Sequence, residues 1–594
     1  MDIAKRLQIF RKHMDKFGLD FYLVPSIDAH NSEYVPECWK RRGWISGFDG
    51  SAGEVLITKE HAYLWTDGRY FLKAEQQLNF DYYTLMKQSG FVSEIEQWLI
   101  DNAIGKKVGV DPQLVGIERA EKLKESIHSV GGELVFLEDN LVDLSRVELG
   151  EKLNLPNSQA FYLEANYTGV TLAEKLAWIY DELDKLQVDY IVLNVLDEIA
   201  WLFNIRGSDI DYNPLAISYA IIGKNKTVLF IDSNKVDLHL STLLSKSGVI
   251  LLQYSEFGDY LSKLNGTVML DCKTANYWML DIVSKVAKIN LDRSPIVLAK
   301  AIKNNVEIDG ARKVHYYDAK AIIEFLSWLE QSWQNGVDEI AAADKLSEFR
   351  RRQPTSRGDS FATISGFAGN GSIIHYQASH ETNKVIDDSS LYLIDSGGQY
   401  LNGTTDITRT IHLGIPTATQ KRHYTLVLKG HLALGNAVFP HGTNGEHLDA
   451  LARLSLWKYF LNYRHGTGHG VGSFLCVHEG PQRISPGLSG VALLPGMILS
   501  NEPGFYLDNE YGIRIENLCL IKEIEDSRNS DYGLFYALET LTMVPYCKKL
   551  IDVNLLSKEE QGQILAYYEE IRKKVYPELS LNAQKWLENE LNLF

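Results

Sequence analysis

The spacing of apolar residues divides the first part of the chain into short strands and amphipathic helices. Met1–Leu19 shows a helical pattern, and the apolar run Phe21–Val24 follows it and is closed by Pro25. A short apolar run bounded by turn residues is typical of a buried strand. Because further strand-like runs follow this first strand, we predict an α/β fold for this part of the chain.

The same order of elements returns near residue 172. A helical pattern over Leu172–Leu186 precedes the apolar run Asp189–Leu193. Self-similarity of this kind indicates a duplicated structural unit. The further matching segments are Trp44–Gly50 with Trp201–Gly207, Glu54–Ile57 with Tyr219–Ile222, and Ala62–Asp67 with Thr227–Asp232.

The last part of the chain has a different character. A long helical pattern covers Val306–Arg352, and after it the sequence turns to Gly, Thr, Ser and short strand-like runs. This composition is typical of a domain that carries its chemistry on loops. We therefore predict three domains, with residues 1–155 and 156–304 as two copies of one α/β domain and residues 305–594 as the catalytic domain.

Composition and charge narrow the function classes. The 594 residues are 45% hydrophobic and 23% charged, as in ordinary globular proteins. A net charge of -17 spread along the chain argues against nucleic acid as a partner. No apolar run approaches the roughly 20 residues of a membrane-spanning helix, and the first segment has no secretion-signal pattern. Five scattered cysteines without CxxC spacing favour a reducing, cytoplasmic location.

Two predicted hairpins each carry one acid on each strand. In the first, Leu391–Asp395 is followed by a glycine-rich turn and then by a strand with Asp406. In the second, Met497–Glu502 is followed by a turn and then by a strand that ends near Glu516. The segment between the hairpins, His465–Gly472, is too rich in glycine for a helix, and we predict a loop there.

These residues form a coherent donor set for metal ions. The carboxylates of Asp395, Asp406, Glu502 and Glu516 with the neutral imidazole of His469 carry a charge of about -4, which balances two divalent cations. Ligands rich in oxygen with a single nitrogen favour Mn²⁺, or Co²⁺ in vitro, and leave Zn²⁺ as an open alternative.

Other interpretations stay open at this point. Each acid alone could serve as a turn cap, and His375 alone could be a core histidine. A calcium loop over Asp508–Glu516 lacks the glycine that an EF-hand requires at its sixth position. Cys476 lies two residues before His478, but no third group of a thiol hydrolase is visible nearby.

With these residues in view, the chain resembles the pita-bread metallopeptidases, and most closely the three-domain cytosolic aminopeptidase P family. The resemblance covers nearly the whole chain. The segments that carry it are WISGFDGSAG, WTDGRYF, DEIAWLFNIRGSD, IIHY, LIDSGGQYLNGTTDITRT, HGTGHGVGSFLCVHEGP, NEPGFY and GIRIEN. It implies two creatinase-N-like α/β domains followed by a catalytic pita-bread domain.

The resemblance also implies a role for each matching residue. Asp395 would bind the first metal, Asp406 and Glu516 would bridge both metals, and His469 and Glu502 would complete the second. Glu502 would also transfer a proton. The remaining residues implied at the site are the substrate-binding and catalytic histidines His375, His465 and His478, the supporting Arg514, and the substrate-contacting Arg69 of the first domain.

The implied activity is removal of the N-terminal residue from peptides that have proline second, by attack of a metal-bridging hydroxide. A prolidase that cleaves only Xaa-Pro dipeptides is the nearest alternative, and a pita-bread module kept only for binding is another. The duplicated N-terminal domain favours the aminopeptidase, since prolidases of this family have a single copy. The resemblance further implies a homodimer.

Overall fold

The structure is a computed structural model that describes residues 2–88, 94–224 and 226–593. The chain forms two units, one made of Met1–Leu163 with Val170–Ile296 and the other of Glu164–Gly169 with Val297–Phe594. The predicted boundaries at 155/156 and 304/305 stay predictions.

The first unit begins with a six-stranded sheet flanked by helices. Its strands are β1 (Phe21–Val24), β2 (Glu54–Thr58), β3 (Ala62–Thr66), β4 (Tyr83–Lys87), β5 (Lys107–Val110) and β6 (Glu133–Phe136). Its helices are α1 (Ile3–Lys16), α2 (Arg41–Ser46), α3 (Phe71–Gln77), α4 (Ile95–Asn102), α5 (Ile117–Ser129) and α6 (Leu141–Glu148).

A second set of elements follows, together with a short two-stranded ribbon. The strands are β7 (Phe161–Tyr162), β8 (Tyr190–Leu193), β9 (Ile205–Arg206), β10 (Ser218–Gly223), β11 (Thr227–Ile231), β12 (Val249–Leu252), β13 (Thr267–Asp271) and β14 (Lys288–Asp292). The helices are α7 (Ala165–Thr168), α8 (Leu172–Leu186), α9 (Leu196–Leu202), α10 (Leu238–Lys246), α11 (Phe257–Leu261), α12 (Tyr277–Ser284) and α13 (Pro295–Ala301).

The two six-stranded sheets share one topology. The first has the order β4-β3-β2-β1-β5-β6, and the second has the order β12-β11-β10-β8-β13-β14. In both, the central hairpin strands are antiparallel and the outer strands are parallel to their neighbours. The predicted α/β class and duplication are therefore confirmed. Both β10 and β11 are buried along their whole length, which explains their unbroken apolar character.

The second unit contains α7 and most of α13, and a long helix follows them. Asn304 caps it, since its side chain accepts from the amides of Val306 and Glu307, a strong helix-start arrangement. The helices are α14 (Asn305–Ser332), α15 (Glu339–Arg351), α16 (Ala418–Gly435), α17 (Gly445–Trp457), α18 (Lys558–Lys574) and α19 (Leu581–Leu591). Their apolar faces pack with the sheets around a large core.

The strands of this unit are short and mostly antiparallel. They are β15 (Ser356–Asp359), β16 (Ile364–Phe367), β17 (Leu391–Ser396), β18 (Gly398–Tyr400), β19 (Gly403–Thr404), β20 (Ile407–His412), β21 (Val438–Pro440), β22 (Gly468–Gly470), β23 (Glu479–Ile484), β24 (Ile498–Asn501), β25 (Gly504–Leu507), β26 (Tyr511–Arg514), β27 (Asn517–Glu523) and β28 (Phe535–Thr540). The largest sheet has the order β21-β28-β27-β24-β22-β23.

Both predicted hairpins form, with differences in detail. β17 pairs with β20, and β24 pairs with β27 while β25 pairs with β26. The glycine-rich segment between the hairpins is not only a loop, because β22 lies within it and pairs with β23 and β24. Glycine is needed there, since a Cβ on Gly468 would lie 2.0 Å from the Ser500 carbonyl oxygen.

Within the described residues, no helix is both long enough and apolar enough to cross a lipid bilayer.

A buried ion pair in the first unit gives a test of this packing. Lys235 Nζ lies 2.6 Å from Asp209 Oδ2, and both side chains are at most 2% exposed. We expect Asp209→Asn to lower the free energy of unfolding by about 3–5 kcal/mol, because it leaves a buried ammonium without its carboxylate. The measurement is urea denaturation followed by circular dichroism.

The matched control is Asp184→Asn in the exposed pair of Asp184 with Lys224, where the expected loss is below about 1 kcal/mol. Equal losses in the two variants would contradict the proposed importance of burial.

Candidate metal centre

The first hairpin brings two aspartates together. Asp395 lies in β17 opposite Thr408 of β20, and Asp406 immediately precedes β20 rather than lying within it. Both side chains are buried, at 7% and 4% exposure. Alternation along a strand places neighbouring side chains on opposite faces, so the hairpin register fixes which carboxylates meet.

The second hairpin supplies two glutamates at interruptions of its strands. Glu502 lies between β24 and β25, and Glu516 lies between β26 and β27. Their backbone amides bond elsewhere, with Glu502 donating to the Thr467 carbonyl at 2.8 Å and Glu516 to the Thr408 carbonyl at 3.2 Å. These bonds hold both interruptions against neighbouring strands of the catalytic unit.

The five predicted metal ligands and a second histidine, His478, form three overlapping groups. Within each group the possible ligand atoms lie within 4.8 Å of one another. The groups are Asp395 with Asp406 and Glu516, His469 with Glu502 and Glu516, and Asp406 with His469 and His478. Asp406, Glu516 and His469 each belong to two groups. Shared carboxylates of this kind are what two neighbouring cations require.

Two buried oxygen atoms support this fit. Asp395 Oδ1 and Asp406 Oδ1 are buried and accept no hydrogen bond. A buried carboxylate oxygen without a partner is costly in a folded protein. The residues present therefore fit a pair of divalent cations, which would coordinate such oxygens.

The carboxyl groups also influence one another electrostatically. Burial raises the pKa of Asp395 to about 7; the nearby Arg514 opposes this rise and the charge of Asp406 adds to it. Burial and the charges of Asp406 and Asp395 raise the pKa of Glu516 well above its usual value. Bound cations would reverse these shifts, because positive charge favours the ionised carboxylate.

His469 is oriented for ligation through one nitrogen. Its Nδ1 lies 2.8 Å from the Gly470 carbonyl oxygen, which accepts a hydrogen bond and leaves Nε2 as the available donor atom. Nε2 lies 3.5 Å from Asp406 Oδ2 and 3.6 Å from Glu502 Oε1. Burial disfavours protonation, but these two carboxylates outweigh burial and raise the pKa of His469 to about 9.

The buried side chain of Arg514 fixes the positions of two of the carboxylates. Its side chain is 2% exposed, and Nη2 donates to Asp395 Oδ2 at 2.6 Å. Nε donates to Thr408 Oγ1 at 3.1 Å, and that hydroxyl donates to Glu516 Oε2 at 2.8 Å. One guanidinium group thus fixes two acids, directly and through a hydroxyl group.

The three predicted substrate-site histidines are placed differently. His478 lies in a bend just before β23, not on a strand, and its ring meets the His469 ring edge-on with centroids 4.5 Å apart. His465 is buried, and its Nδ1 lies 4.0 Å from Glu502 Oε2. His375 is half-buried in a turn, and the carbonyl of its neighbour Ile374 accepts from Arg514 at 3.4 Å.

Arg69 lies in the first unit, in the turn after β3. Its Nε and Nη2 donate to the two carboxylate oxygens of Asp67 at 2.8 and 2.7 Å. Its role as a substrate contact stays a prediction.

Sequence reasoning missed Tyr506 as a member of the site. Its hydroxyl accepts from Arg514 Nη1 at 2.6 Å and lies 2.9 Å from His465 Nε2, so it joins the arginine to the histidine. The only signal in the sequence is its place in the segment NEPGFY, three residues after Pro503. Nothing in that segment alone says that the hydroxyl points inward.

Family-level comparisons agree with this architecture. The creatinase/prolidase N-terminal domain matches residues 6–147 and, in a second form, residues 151–307. Metallopeptidase family M24 matches residues 309–523, and the C-terminal region of peptidase M24 matches residues 534–593.

Full-length relatives and a solved structure are similar to the whole chain. A probable Xaa-Pro aminopeptidase P of Sordaria macrospora is 44% identical over 97% of this chain and 96% of its own. A protein with the same description from Neurospora crassa is 43% identical over 100% of this chain and 90% of its own.

The crystal structure of X-prolyl aminopeptidase from Caenorhabditis elegans, a cytosolic enzyme with a di-nuclear active site, superimposes with a TM-score of 0.95 and is 34% identical, covering 100% of both chains. With two creatinase-type domains, an M24 domain and similarity along the full length, the chain belongs to the Xaa-Pro aminopeptidase P family of M24 metallopeptidases.

Proposed function

We propose that this protein is a metal-dependent exopeptidase that removes the N-terminal residue from peptides with proline at the second position. The proposal rests on the set of overlapping donor groups, in which the carboxylates of Asp406 and Glu516 are shared, as is the imidazole of His469. The full-length similarity to Xaa-Pro aminopeptidases supports the choice of substrate.

Five residues would hold two divalent metal ions. Asp395 would serve the first ion, His469 and Glu502 the second, and Asp406 and Glu516 both. The ligand charge of about -4 matches two divalent cations, and the excess of oxygen donors favours Mn²⁺. When bound, the ions would activate water as a nucleophile at neutral pH and polarise the scissile carbonyl.

The surrounding residues orient this ligand set. The Gly470 carbonyl holds the His469 ring so that Nε2 faces Asp406 and Glu502. Arg514 opposes the rise in the pKa of Asp395 that burial causes, and it fixes one of the carboxylate oxygens. The remaining buried oxygen, Oδ1, stays available for coordination.

Several residues act on the substrate or on protons. His478 and His375 donate hydrogen bonds to the substrate carbonyl or to the developing oxyanion, which is typically worth about 2.7–4 kcal/mol for one donor. Glu502 accepts a proton and delivers it to the leaving proline nitrogen. His465 lies beside Glu502 and is held by Tyr506, and Arg69 contacts the bound peptide.

The cellular setting is proposed on the same basis. The five cysteines are scattered along the chain without CxxC spacing, which is typical of proteins of a reducing compartment, and the similar Caenorhabditis elegans enzyme is cytosolic. We propose a cytoplasmic homodimer that acts on small peptides.

Metal removal is the first test. We expect dialysis against EDTA to abolish hydrolysis of an Xaa-Pro tripeptide, because EDTA removes the divalent cations that the five ligands would hold. Added Mn²⁺ or Co²⁺ should restore the activity. Iodoacetamide should leave activity largely intact, since no cysteine takes part. Full activity in protein shown to be metal-free by elemental analysis would overturn the mechanism.

Substrate length separates the aminopeptidase from a prolidase. We expect kcat/KM for an Xaa-Pro-Xaa tripeptide to exceed that for the matching Xaa-Pro dipeptide by at least about tenfold, which corresponds to about 1.4 kcal/mol. The measurement is chromatographic release of the N-terminal residue with added Mn²⁺. A preference for the dipeptide would identify a prolidase instead.

His478 has the sharpest expected signature. If its hydrogen bond forms mainly in the transition state, His478→Ala should lower kcat by about 10²–10³ with little change in KM. Metal content should stay the same. The measurement combines steady-state kinetics with elemental analysis.

The control is His441→Ala, which removes a histidine bonded to Tyr536 and outside the three donor groups. It should keep its turnover. Near-normal turnover in His478→Ala, combined with a lowered melting temperature, would return His478 to a purely structural role.

A further inference from the structure

Glu479, the residue after His478, forms a buried ion triad with two lysines. Glu479 follows His478 in the chain, and its carboxylate lies 2.7 Å from Lys300 Nζ and 2.5 Å from Lys303 Nζ. All three side chains are at most 3% exposed. Two ammonium groups and one carboxylate buried together are costly unless their geometry is well fixed.

The two lysines are themselves held in place. Lys300 lies in α13, and Lys303 lies between α13 and α14. Lys303 Nζ donates to the Lys300 carbonyl at 2.9 Å, and the Lys303 amide donates to the Gly496 carbonyl at 3.0 Å. The ammonium groups thus form a fixed anchor point for the Glu479 carboxylate.

Glu479 also closes the loop between the two site histidines. It pairs with Gly470, the residue after His469, and Gly472 donates to the Cys476 carbonyl at 2.9 Å. A Cβ on Gly470 would lie 2.4 Å from the Glu479 carbonyl oxygen, so the backbones approach too closely for any larger residue. The loop therefore starts beside His469 and ends at Glu479.

We propose that Glu479, clamped by Lys300 and Lys303, is a positioning residue that sets the place of His478 at the site. Side-chain anchoring of the residue next to His478 limits movement of the histidine ring, which packs against the ring of His469. A displacement of about 1 Å of a catalytic group can lower a rate by about 10²-fold. The inference rests on the proposed function.

The first arm of the test measures whether Glu479 acts through His478. We expect Glu479→Gln to lower kcat by about 10- to 100-fold with KM and metal content little changed. In the His478→Ala background the same substitution should change kcat by less than about threefold, since effects through one group are not additive. A full, independent loss in that background would overturn the proposal.

The second arm separates positioning from stability, because Glu479→Gln leaves two buried lysines without their carboxylate. The triple variant Lys300→Met, Lys303→Met, Glu479→Gln removes all three charges, and apolar replacement of buried ions commonly restores stability. We expect its melting temperature to return toward that of the wild type while kcat stays about as low as in Glu479→Gln. Recovery of kcat together with the melting temperature would overturn the proposal.

An assay of the wild-type protein on the same Xaa-Pro tripeptide with Mn²⁺ distinguishes failure of the proposed function from failure of the positioning role of Glu479. An inactive wild type with full metal content would contradict the proposed function itself. An active wild type with additive effects of Glu479 and His478 would contradict only the positioning role.

Discussion

Four carboxylates lie close together in a buried region of the catalytic unit, and every neighbouring group has to be compatible with their mutual repulsion. Burial and the neighbouring negative charges raise the pKa of Glu516 and of Glu502. Such an arrangement is unfavourable for folding alone, and bound cations would stabilise it. The strands, the buried arginine and the interrupted hairpins are best understood as the means of holding these acids in place.

Interruptions in the strands allow several acidic side chains to reach one point. In a continuous strand, alternate side chains point to opposite faces, so one strand offers few residues to one point. Glu502 and Glu516 lie where the hairpin passes from one sheet to another, between β24 and β25 and between β26 and β27. The change of sheet frees each carboxylate from the alternation, and the hydrogen bonds of the two amides to Thr467 and Thr408 replace the lost pairing.

Much of this organisation could be predicted because it is local in sequence. The duplicated α/β fold follows from repeated apolar runs. The acids could be located because Asp395, Glu502 and Glu516 end strand-like runs near turn residues, and Asp406 begins one after Asn402 and Gly403. The strand status of His469 was missed, since glycine content argues for a loop. Pairing of β22 with β23 and β24 overrides that preference.

Contacts between distant residues were beyond the reach of sequence patterns. Lys303 and Glu479 are 176 positions apart, and lysines in and after a helical segment are usually exposed to solvent. Tyr506 is similar, because its bond to His465 depends on how two strands and a loop meet. Periodicity reports which face of an element is buried, but it does not report which polar groups meet there.

Two buried arginines show how the acids are stabilised without being blocked. Arg514 donates directly to one oxygen of Asp395, whereas the side chain of Arg409 donates to the backbone carbonyls of Glu516 and Thr408. Arg409 therefore brings positive charge close to Glu516 while none of these bonds occupies its carboxylate oxygens. The Oδ1 atoms of Asp395 and Asp406 likewise accept no hydrogen bond. Metal coordination requires carboxylate oxygens that accept no hydrogen bond and that lie in a buried site whose negative charge is partly neutralised. The contacts of the two arginines stabilise the buried acids and also leave such oxygens for a metal ion.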